Sequence, residues 1–448
     1  MHRVDVYKLA EEARFNRFHA TVLIWCFMIV MLDGYDLAVA GAALPSIMKA
    51  MGVDATTAGF MASSALFGMM FGAIVLGALA DRLGRRWTIS ICVFLFSAFT
   101  AAAGFTSDPL AFSVMRFFAG LGIGGAIPNL AAQMTEYSPR KVRGVVVTLA
   151  CCGYAVGSML AALLGKQFIE AYGWQFVFLA AGAPVLLIPF ILKYMPESLP
   201  FLVKQHDDTQ LRQIVSRIQP GFRMKAGEAF QALAGDKAQE PAVSQLFRDG
   251  RGLSTAMLWV AFFMGLFMMY ALNTWLVKLM ELAGYSLGSA LNFLLVYNAG
   301  AIVGAVGGGW LADKFNIKLV LFIFYAMSVA SLAMLGYGVQ PLILVVAVVG
   351  ASTLGTQILC YAYAGQFYPT PIRSTGIGFA SGVGRAGAIV APIALGVLVS
   401  VRLPLEHNFL AIAAAGALGA VAIALVNHRV SASRSGISHD GIVALESR

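Results

Sequence analysis

Two carboxylic acids lie one helical turn apart in the apolar stretch IVMLDGYDLAVAG, at Asp33 and Asp36. Residues three positions apart share one face of a helix. A charged side chain costs about 2.5–3.5 kcal/mol at the centre of a membrane helix, so an acid there marks an ion or substrate pathway by default. We therefore expect both aspartates to face a water-filled cavity or cationic partners, and to act in proton coupling. A purely structural pair with arginine is the alternative.

Two arginines in apolar stretches are candidate partners for these acids. Arg116 lies in VMRFFAGLG, and Arg385 lies in GVGRAGAIVAP. A guanidinium group keeps its charge and can hold a carboxylate through two parallel hydrogen bonds. An organic anion can therefore displace an aspartate from an arginine, or bind once that aspartate is protonated. We expect one of the two arginines to hold the carboxylate of a substrate.

Uncharged polar and aromatic side chains in apolar stretches complete the candidate substrate site. Most aromatic residues in membrane helices serve packing, whereas an unpaired amide in lipid is costly and indicates a polar contact. Asn273 and Asn298 are the stronger candidates for this reason. Beside the two arginines, the candidate substrate-binding residues are Tyr35, Tyr270, Asn273, Tyr297, Asn298, Gln357 and Tyr361.

A membrane protein is needed to position these residues. Of the 448 residues 59% are hydrophobic and 12% are charged, whereas soluble domains are about 45–50% apolar and about 25% charged. A span takes roughly 20 residues, and its backbone polar groups must pair internally, which predicts helices. Twelve stretches qualify, near residues 18–40, 58–80, 87–105, 109–134, 145–165, 174–194, 254–280, 287–311, 318–337, 341–363, 374–400 and 406–427.

The net charge of +9 is explained by membrane topology. Lysine and arginine concentrate in alternate connecting segments, and the other segments carry little beyond Lys49, Lys166 and Arg402. Because positively charged loops stay inside, both termini are predicted to be cytoplasmic. The expected partners are therefore the lipid bilayer, protons and a small substrate, and nucleic acid is not among them.

The chain repeats itself after about 230 residues. GALADRLGRR (Gly77–Arg86) matches GWLADKFNIK (Gly309–Lys318), and EYSPRKVRG matches QFYPTPIRS. Parallel repeats of this kind characterise transporters with a site between the halves. The predicted fold is an all-α membrane protein of two six-helix bundles related by pseudo-two-fold symmetry. Its predicted divisions are residues 1–196, a cytoplasmic linker with an amphipathic helix at 197–252, and 253–448.

Charged residues and glycines at the inner mouth are candidate gate residues. Ion pairs and contacts with helix ends can hold such a gate shut. Gly77 and Gly84 predict a tight turn beside the charges; the alternative is a cluster that only fixes orientation. The set comprises Gly77, Asp81, Arg82, Gly84, Arg85, Arg86, Glu136, Asp313 and Lys314.

Motifs for enzyme chemistry are not expected in this chain. GLGIGG fits G-x-G-x-x-G, but a dinucleotide site needs a preceding strand, and here the glycines lie in an apolar span where small residues allow close helix packing. The sequence has no Walker motif, nucleophile–base arrangement or metal-ligand cluster. We expect no cofactor, no metal and no enzymatic activity, and an ion gradient or the substrate gradient as the energy source.

Several of these motifs resemble those of the major facilitator superfamily. GALADRLGRR resembles its loop signature, GWLADKFNIK resembles a degenerate second copy, and RFFAGLGIGG and MPESLPFLV also match. The acid pair in LDGYDLAVAGAALP, preceded by ARFNRFH, is similar to that of the aromatic acid:proton symporters, most of all their benzoate branch. That resemblance implies import of benzoate or a hydroxybenzoate with protons across a bacterial inner membrane, by a protein that we expect to act as a monomer.

The resemblance also implies roles for individual residues. Asp33 and Asp36 match the acids of the family's first helix, and Arg385 matches its G-x-G-R arginine. Gly77, Asp81 and Gly84 match the loop signature. In the second copy Asn316 and Ile317 replace glycine and arginine, which predicts a looser second latch. A symporter for another organic acid or metabolite, a drug/proton antiporter and a non-transporting receptor remain alternatives.

Overall fold

The structure is a computed structural model that describes residues 3–220, 229–231, 243–248, 250–369, 372–428 and 431. Among these residues, twelve helices are long and apolar enough to cross a membrane, so the predicted number of spans is confirmed. The fold is helical apart from one short parallel pairing of β1 (Arg3–Asp5) with β2 (Ala229–Gln231).

The first half contains a short helix followed by six spans. The short helix is α1 (Val6–Glu12). The spans are α2 (Arg17–Met51), α3 (Ala55–Leu83), α4 (Arg85–Ala103), α5 (Pro109–Tyr137), α6 (Arg143–Tyr172) and a sixth segment made of α7 (Trp174–Ala180), a 3-10 turn (Ala183–Leu187) and α8 (Ile188–Tyr194).

Two of these spans differ from the sequence prediction. The sequence predicted the first span to end near residue 40, but α2 continues to Met51 with Pro45 inside it. Proline is tolerated in membrane helices where neighbours satisfy the freed backbone groups. The sixth span was predicted as one helix over 174–194, but a 3-10 turn divides it. Pro184 and Pro189 lack the N–H groups that a continuous helix needs there.

The linker carries α9 (Leu199–Lys204) and α10 (Asp208–Ile218). The predicted amphipathic helix is confirmed as α10, whose apolar face is buried. Its buried residues are Leu211, Ile214, Val215 and Ile218. A 3-10 turn over Val243–Phe247 precedes the second half.

The second half contains six continuous spans. They are α11 (Gly252–Leu282), α12 (Leu287–Lys314), α13 (Ile317–Gly336), α14 (Leu342–Phe367), α15 (Arg373–Ser400) and α16 (Leu405–Leu425). Close glycine contacts join several of them. A Cβ atom added at Gly300 or Gly304 of α12 would overlap a backbone carbonyl of α14, so only a residue without a side chain fits.

The described residues form two compact units whose boundary departs from the order of the chain. The first unit takes its residues from 1–43 and 64–237, and the second from 44–63 and 238–448. The hairpin 44–63, which joins α2 to α3, therefore belongs to the second unit. In that unit, Ser63 donates a hydrogen bond of 2.7 Å to the Ile389 carbonyl, and the hydroxyls of Thr56 and Ser400 lie 3.0 Å apart.

Small residues allow this hairpin to lie against α15. A Cβ atom on Gly59 would stand 2.5 Å from the Pro392 carbonyl oxygen, and one on Gly396 would stand 2.5 Å from that of Ala55. Both obstacles are backbone atoms, which cannot rotate away as the end of a flexible side chain can.

Gly59→Val is therefore expected to separate the hairpin from α15. Paired cysteines in the variants Thr56→Cys and Ser400→Cys, in a background without the five native cysteines, should crosslink readily because their hydroxyls lie 3.0 Å apart. Adding Gly59→Val should reduce the crosslinked fraction severalfold, whereas Gly307→Val, at a helical position where an added Cβ atom meets nothing within 4 Å, should not. Undiminished crosslinking in the Gly59→Val protein would contradict this account of the packing.

The N-terminal segment is hydrogen-bonded to other parts of the first unit. Arg140 donates its backbone N–H to the Glu11 carbonyl at 3.0 Å, and the Asn16 side chain donates to the carbonyls of Arg217 and Ile218 at 2.9 and 3.1 Å. Burial raises the pKa of Tyr7 to about 12, and the nearby charge of Glu136 contributes to that rise. The segment thus joins α10 to the loop that follows α5.

Candidate functional site

Asp36 and Arg116 form a buried ion pair in the first unit. Nη1 of Arg116 donates to Oδ2 of Asp36 at 3.1 Å, and Nη2 donates to the backbone carbonyl of Asp36 at 3.0 Å. Each residue is 1% exposed. Because a buried charge is tolerated only when it is paired and hydrogen-bonded, the two residues stabilise each other's charged form.

Arg116 has two further contacts that the sequence analysis missed. Its Nη1 also donates to the hydroxyl of Thr100 at 2.7 Å, and its guanidinium carbon lies 5.9 Å from the centre of the Phe178 ring. Thr100 is fully buried in α4. A hydroxyl in the apolar stretch SAFTAAAG was a usable signal, because buried hydroxyls require hydrogen-bond partners.

Asp33 lies one turn from Asp36 and is entirely buried. Within the described part of the chain, neither of its carboxylate oxygens has a hydrogen-bond partner. We expected both aspartates to face a water-filled cavity or cationic partners. Asp36 has a cationic partner in Arg116, whereas Asp33 is 0% exposed and has no partner among the described residues. Asp33 is enclosed within the first unit, where the buried Cys92 of α4 lies near it.

Three predicted substrate-binding residues already have partners in their own unit. Tyr35 donates its hydroxyl to the Val177 carbonyl at 2.7 Å. The hydroxyls of Tyr297 and Thr353 lie 3.2 Å apart, and Asn298 donates to the Leu294 carbonyl one turn earlier at 2.9 Å. All three predicted residues are buried. Each of the three side chains thus makes at least one hydrogen bond without a substrate.

Other predicted residues of the second unit have unsatisfied polar groups. Among the described residues, both amide atoms of Gln357 lack a partner although the side chain is buried. Asn273 donates to the Met269 carbonyl at 3.2 Å, but its own Oδ1 is unpaired. Tyr270 is buried beside it in α11. Arg385 is partly exposed, and the described residues supply it with no ion pair or hydrogen bond.

Helix register places Gln357 and Arg385 at the same level of α14 and α15. The hydroxyl of Tyr361 lies 2.9 Å from that of Ser381. The two helices run in opposite directions, so one turn along each from this contact leads to Gln357 on α14 and Arg385 on α15. An unpaired amide and an unpaired guanidinium group are thereby expected at similar levels of the second unit.

Four of the predicted gate residues lie around Glu197, which the sequence analysis missed; they are Gly84, Arg85, Arg86 and Glu136. Glu197 is 4% exposed, and its Oε1 accepts the backbone N–H groups of Arg85 at 2.6 Å and Arg86 at 3.2 Å. These are the first N–H groups of α4, where a carboxylate is favoured. Glu136 pairs with the Arg85 guanidinium and accepts a hydrogen bond from Ser198 at 3.1 Å. The acid in MPESLP was the available signal.

The predicted tight turn involves only one of its two glycines. Gly84 has φ 87°, which favours glycine, and a Cβ atom there would stand 2.6 Å from Glu197 Oε2. Gly77 instead lies inside α3 with open space around it, so the predicted turn at Gly77 is wrong. Arg82 is exposed, and the side chain of Asp81 lies outside the described residues.

Glu197→Ala is expected to lower the free energy of unfolding by about 1.5–3 kcal/mol, the range for hydrogen bonds to a charged group. The loss follows because two N–H groups of α4 would be left without their acceptor. Thermal unfolding of the purified protein measures the effect, with the exposed Glu170→Ala as the matched control. Equal unfolding temperatures for the two variants would contradict this role of Glu197.

The second copy of the loop motif is built differently. Asp313 and Lys314 are exposed, and Lys314 Nζ lies 4.0 Å above the Trp310 ring. In this half Lys318, near the start of α13, contacts the end of α16. It donates to the carbonyls of Ala424 at 3.0 Å and Val426 at 2.7 Å. The last carbonyl groups of a helix lack partners within that helix, and a nearby lysine can donate hydrogen bonds to them.

Comparison with known proteins decides the family. The model of the Major Facilitator Superfamily matches residues 26–356 and again residues 296–441. The chain belongs to this superfamily. Its loop motifs, twelve spans and repeated halves are therefore those of a facilitator, and the resemblance inferred from GALADRLGRR is confirmed.

Relatives of this facilitator handle aromatic acids, as their names state. A benzoate transport protein of Acinetobacter baylyi is 41% identical, over 95% of this chain and 93% of that protein. The 4-hydroxybenzoate transporter PcaK of Pseudomonas putida is 32% identical over 95% and 97% of the two chains. A gentisate transporter of Corynebacterium glutamicum is 34% identical over 92% and 88%. The resemblance to the aromatic acid branch is thus confirmed at the level of sequence.

Solved structures confirm the fold of this facilitator. The xylose transporter XylE from E. coli in an inward-open conformation matches with a TM-score of 0.69 at 18% identity, over 91% of this chain and 96% of that one. A bacterial homologue of the lysosomal transporter Spinster matches with a TM-score of 0.69 at 16% identity, over 93% and 98%. The facilitator fold of two six-helix halves is the one that the sequence predicted.

Proposed function

We propose that this facilitator imports an aromatic carboxylate together with protons, by alternating access across a bacterial inner membrane, with both termini in the cytoplasm. Benzoate or a hydroxybenzoate is the best candidate for the substrate. Support comes from relatives named for the transport of benzoate, 4-hydroxybenzoate and gentisate, which match nearly the whole chain. We further propose that a single chain suffices for transport.

The proposal of proton coupling is based on the different surroundings of Asp33 and Asp36. Asp36 has a cationic partner in Arg116, whereas Asp33 has no partner among the described residues and is fully buried. A carboxyl group in an apolar interior is more stable with a proton than without one. We therefore assign the carried proton to Asp33, and to Asp36 the task of holding Arg116.

The same comparison distinguishes the two arginines. Arg116 is occupied by Asp36 and Thr100, so a substrate would have to displace them. Arg385 is partly exposed and unpaired within the described residues. A partly exposed guanidinium group is available for a carboxylate and suits its planar geometry. We therefore propose that Arg385 holds the substrate carboxylate, with Gln357 and Asn273 as further polar contacts.

Charge balance favours symport over uptake of the anion alone. A carboxylate that enters alone moves against an inside-negative potential, at about 2.3 kcal/mol per 100 mV. One accompanying proton cancels that charge, and additional protons would draw on the potential as well. Import of the organic anion together with a proton on an aspartate therefore moves no net charge against the membrane potential.

Uptake of labelled benzoate by proteoliposomes under an imposed inward proton gradient tests the proposal. We expect accumulation that collapses when a protonophore is added, and competition by unlabelled hydroxybenzoates. Liposomes without protein are the control. Export instead of uptake would support a drug/proton antiporter, and competition only by non-aromatic acids would support a different organic acid symporter. Either result would overturn the proposal.

A further inference from the structure

Asn16 joins two helices of the first unit through the two ends of one side-chain amide. Its Oδ1 accepts the backbone N–H groups of Phe18 at 2.9 Å and His19 at 3.3 Å, at the start of α2. Its Nδ2 donates to the carbonyls of Arg217 at 2.9 Å and Ile218 at 3.1 Å, at the end of α10. The ends of a helix leave such groups without partners inside it. One residue of the ARFNRFH stretch thus caps the first span and the linker helix together.

The contacts of Asn16 need both a donor and an acceptor on one side chain. An aspartate at this position would cap α2 equally well. It would have no proton to donate to α10, and its charge would lie at the carbonyl end of that helix, where a negative charge is unfavourable. The bonds to α10 therefore require the amide, whereas the cap of α2 does not.

The linker helix α10 in turn helps to hold α1. The helix α1 contacts both α10 and α5, and its residues Val6 and Ala10 are 1% and 0% exposed. Arg140, in the loop after α5, donates its backbone N–H to the Glu11 carbonyl at 3.0 Å. A helix of only two turns is not stable in isolation, so the position of α1 depends on these neighbours.

The side chain of Tyr7 places α1 beside the ion pair of Arg85 with Glu136, which we call the gate pair. Burial raises the pKa of Tyr7 to about 12, with a smaller increase from the charge of Glu136 and an opposing effect from that of Arg85. Tyr7 therefore lies near both charges. The side chains of Arg85 and Glu136 are only 18% and 7% exposed. An ion pair is stronger and less sensitive to salt where water is excluded.

We propose that Asn16 is a positioning residue that fastens α10 to the start of α2, so that α10 keeps α1 in place as a cover over the gate pair. This inference goes beyond the proposed function, because it depends neither on the substrate nor on the residue that carries the proton. For transport, the cover allows the gate pair to form fully in each cycle. Loss of the cover should slow uptake without weakening substrate binding.

Asn16→Asp tests the joint, because it keeps the cap of α2 and removes the bonds to α10. Amide hydrogen exchange of the purified protein should become about tenfold faster or more in α10 and α1, while α2 stays as protected as in wild type. Asn316→Asp is the matched control. Asn316 caps α13 through the Lys318 N–H at 2.9 Å, is exposed, and makes only this side-chain bond in the part of the chain that the structure describes.

The salt dependence of the gate pair tests the cover. Glu136→Gln removes the pair and should lower the unfolding temperature. In the parent protein this decrease should be the same at about 0.05 M and about 0.5 M sodium chloride, because a covered pair is little screened. In the Asn16→Asp background the decrease should be smaller, and smaller again at high salt. A residue that only stabilised the fold would leave this difference unchanged.

Uptake of labelled benzoate tests the consequence for transport. We expect Asn16→Asp to lower the maximal rate severalfold and to leave the half-saturating concentration at the wild-type value. Asn16→Ser is the second variant, for use if the aspartate variant does not fold. It keeps a hydroxyl that can cap α2 and lacks the amide donor to α10.

Wild-type exchange of α10 in the Asn16→Asp and Asn16→Ser proteins would overturn the joint. Faster exchange together with a salt-independent effect of Glu136→Gln, or with a wild-type maximal rate, would overturn the cover. In all of these cases proton-driven uptake by the wild type would still stand. Absence of proton-driven uptake by the wild type would instead overturn the proposed function, and the exchange and unfolding measurements would still decide the joint and the cover.

Discussion

Asp33→Asn is expected to abolish accumulation driven by a proton gradient while leaving the protein folded. Asparagine has nearly the shape of aspartate but cannot carry a proton. Asp33 has no ionic partner among the described residues, so its replacement leaves no opposite charge unpaired. Accumulation of labelled benzoate in proteoliposomes should fall to the level of protein-free liposomes, whereas exchange of internal for external substrate should continue.

Asp36→Asn is the informative comparison, because it removes the partner of Arg116. Breaking a buried ion pair from one side costs about 3–5 kcal/mol, so this variant should lose stability as well as transport. Thermal unfolding separates the two variants. Undiminished gradient-driven accumulation by the Asp33→Asn protein would reject Asp33 as the proton carrier, and equal instability of both variants would reject the difference in their pairing.

Arg385→Gln is expected to raise the substrate concentration for half-maximal uptake by about 10-fold to 100-fold. The figure corresponds to the loss of charge-assisted hydrogen bonds worth about 1.5–3 kcal/mol. Arg385→Lys keeps the charge but not the planar fork, and should recover part of the affinity. Initial uptake rates over a range of benzoate concentrations provide the measurement.

Arg402→Gln is the control for this series, because Arg402 is an exposed arginine after the same helix. It should leave the half-saturating concentration unchanged. Stability of the Arg385→Gln protein should also be close to wild type, since Arg385 has no partner among the described residues whose charge would be left unpaired. A wild-type affinity in the Arg385→Gln protein would show that the carboxylate binds elsewhere, with Arg116 as the next candidate.

The membrane fold could be predicted from the sequence because each span carries its own evidence. Each of the twelve apolar stretches can be recognised from its own residues. The loop motif can be recognised because it recurs after about 230 residues. The amphipathic face of α10 was visible in the same way. Asp36 and Arg116 were identified individually, since charged residues are conspicuous in apolar helices.

The pairing of those residues could not be predicted, because it depends on contacts between helices far apart in the chain. Either arginine was an acceptable partner for either acid until the structure placed Arg116 against Asp36. Thr100 was missed because it is one of four hydroxyl residues in α4, and the sequence does not show which of them lies against Arg116. Burial of Asp33 was also unpredictable, because it depends on how other helices pack around α2.

In both halves a charged side chain connects the start of the third span with the region that follows the sixth span, but the charge has the opposite sign. In the first half an acid, Glu197, accepts from the start of α4, whereas in the second a base, Lys318, donates to the end of α16. The aligned motifs place Lys318 at the position that corresponds to Arg86. A chimera that transplants GALADRLGRR into the second half would therefore place an arginine where Lys318 donates to the Ala424 and Val426 carbonyls, and would not supply the carboxylate that Arg86 has nearby in Glu197. Each loop motif therefore functions with the contact partner of its own half, and exchanging the motif alone would leave that contact unmade.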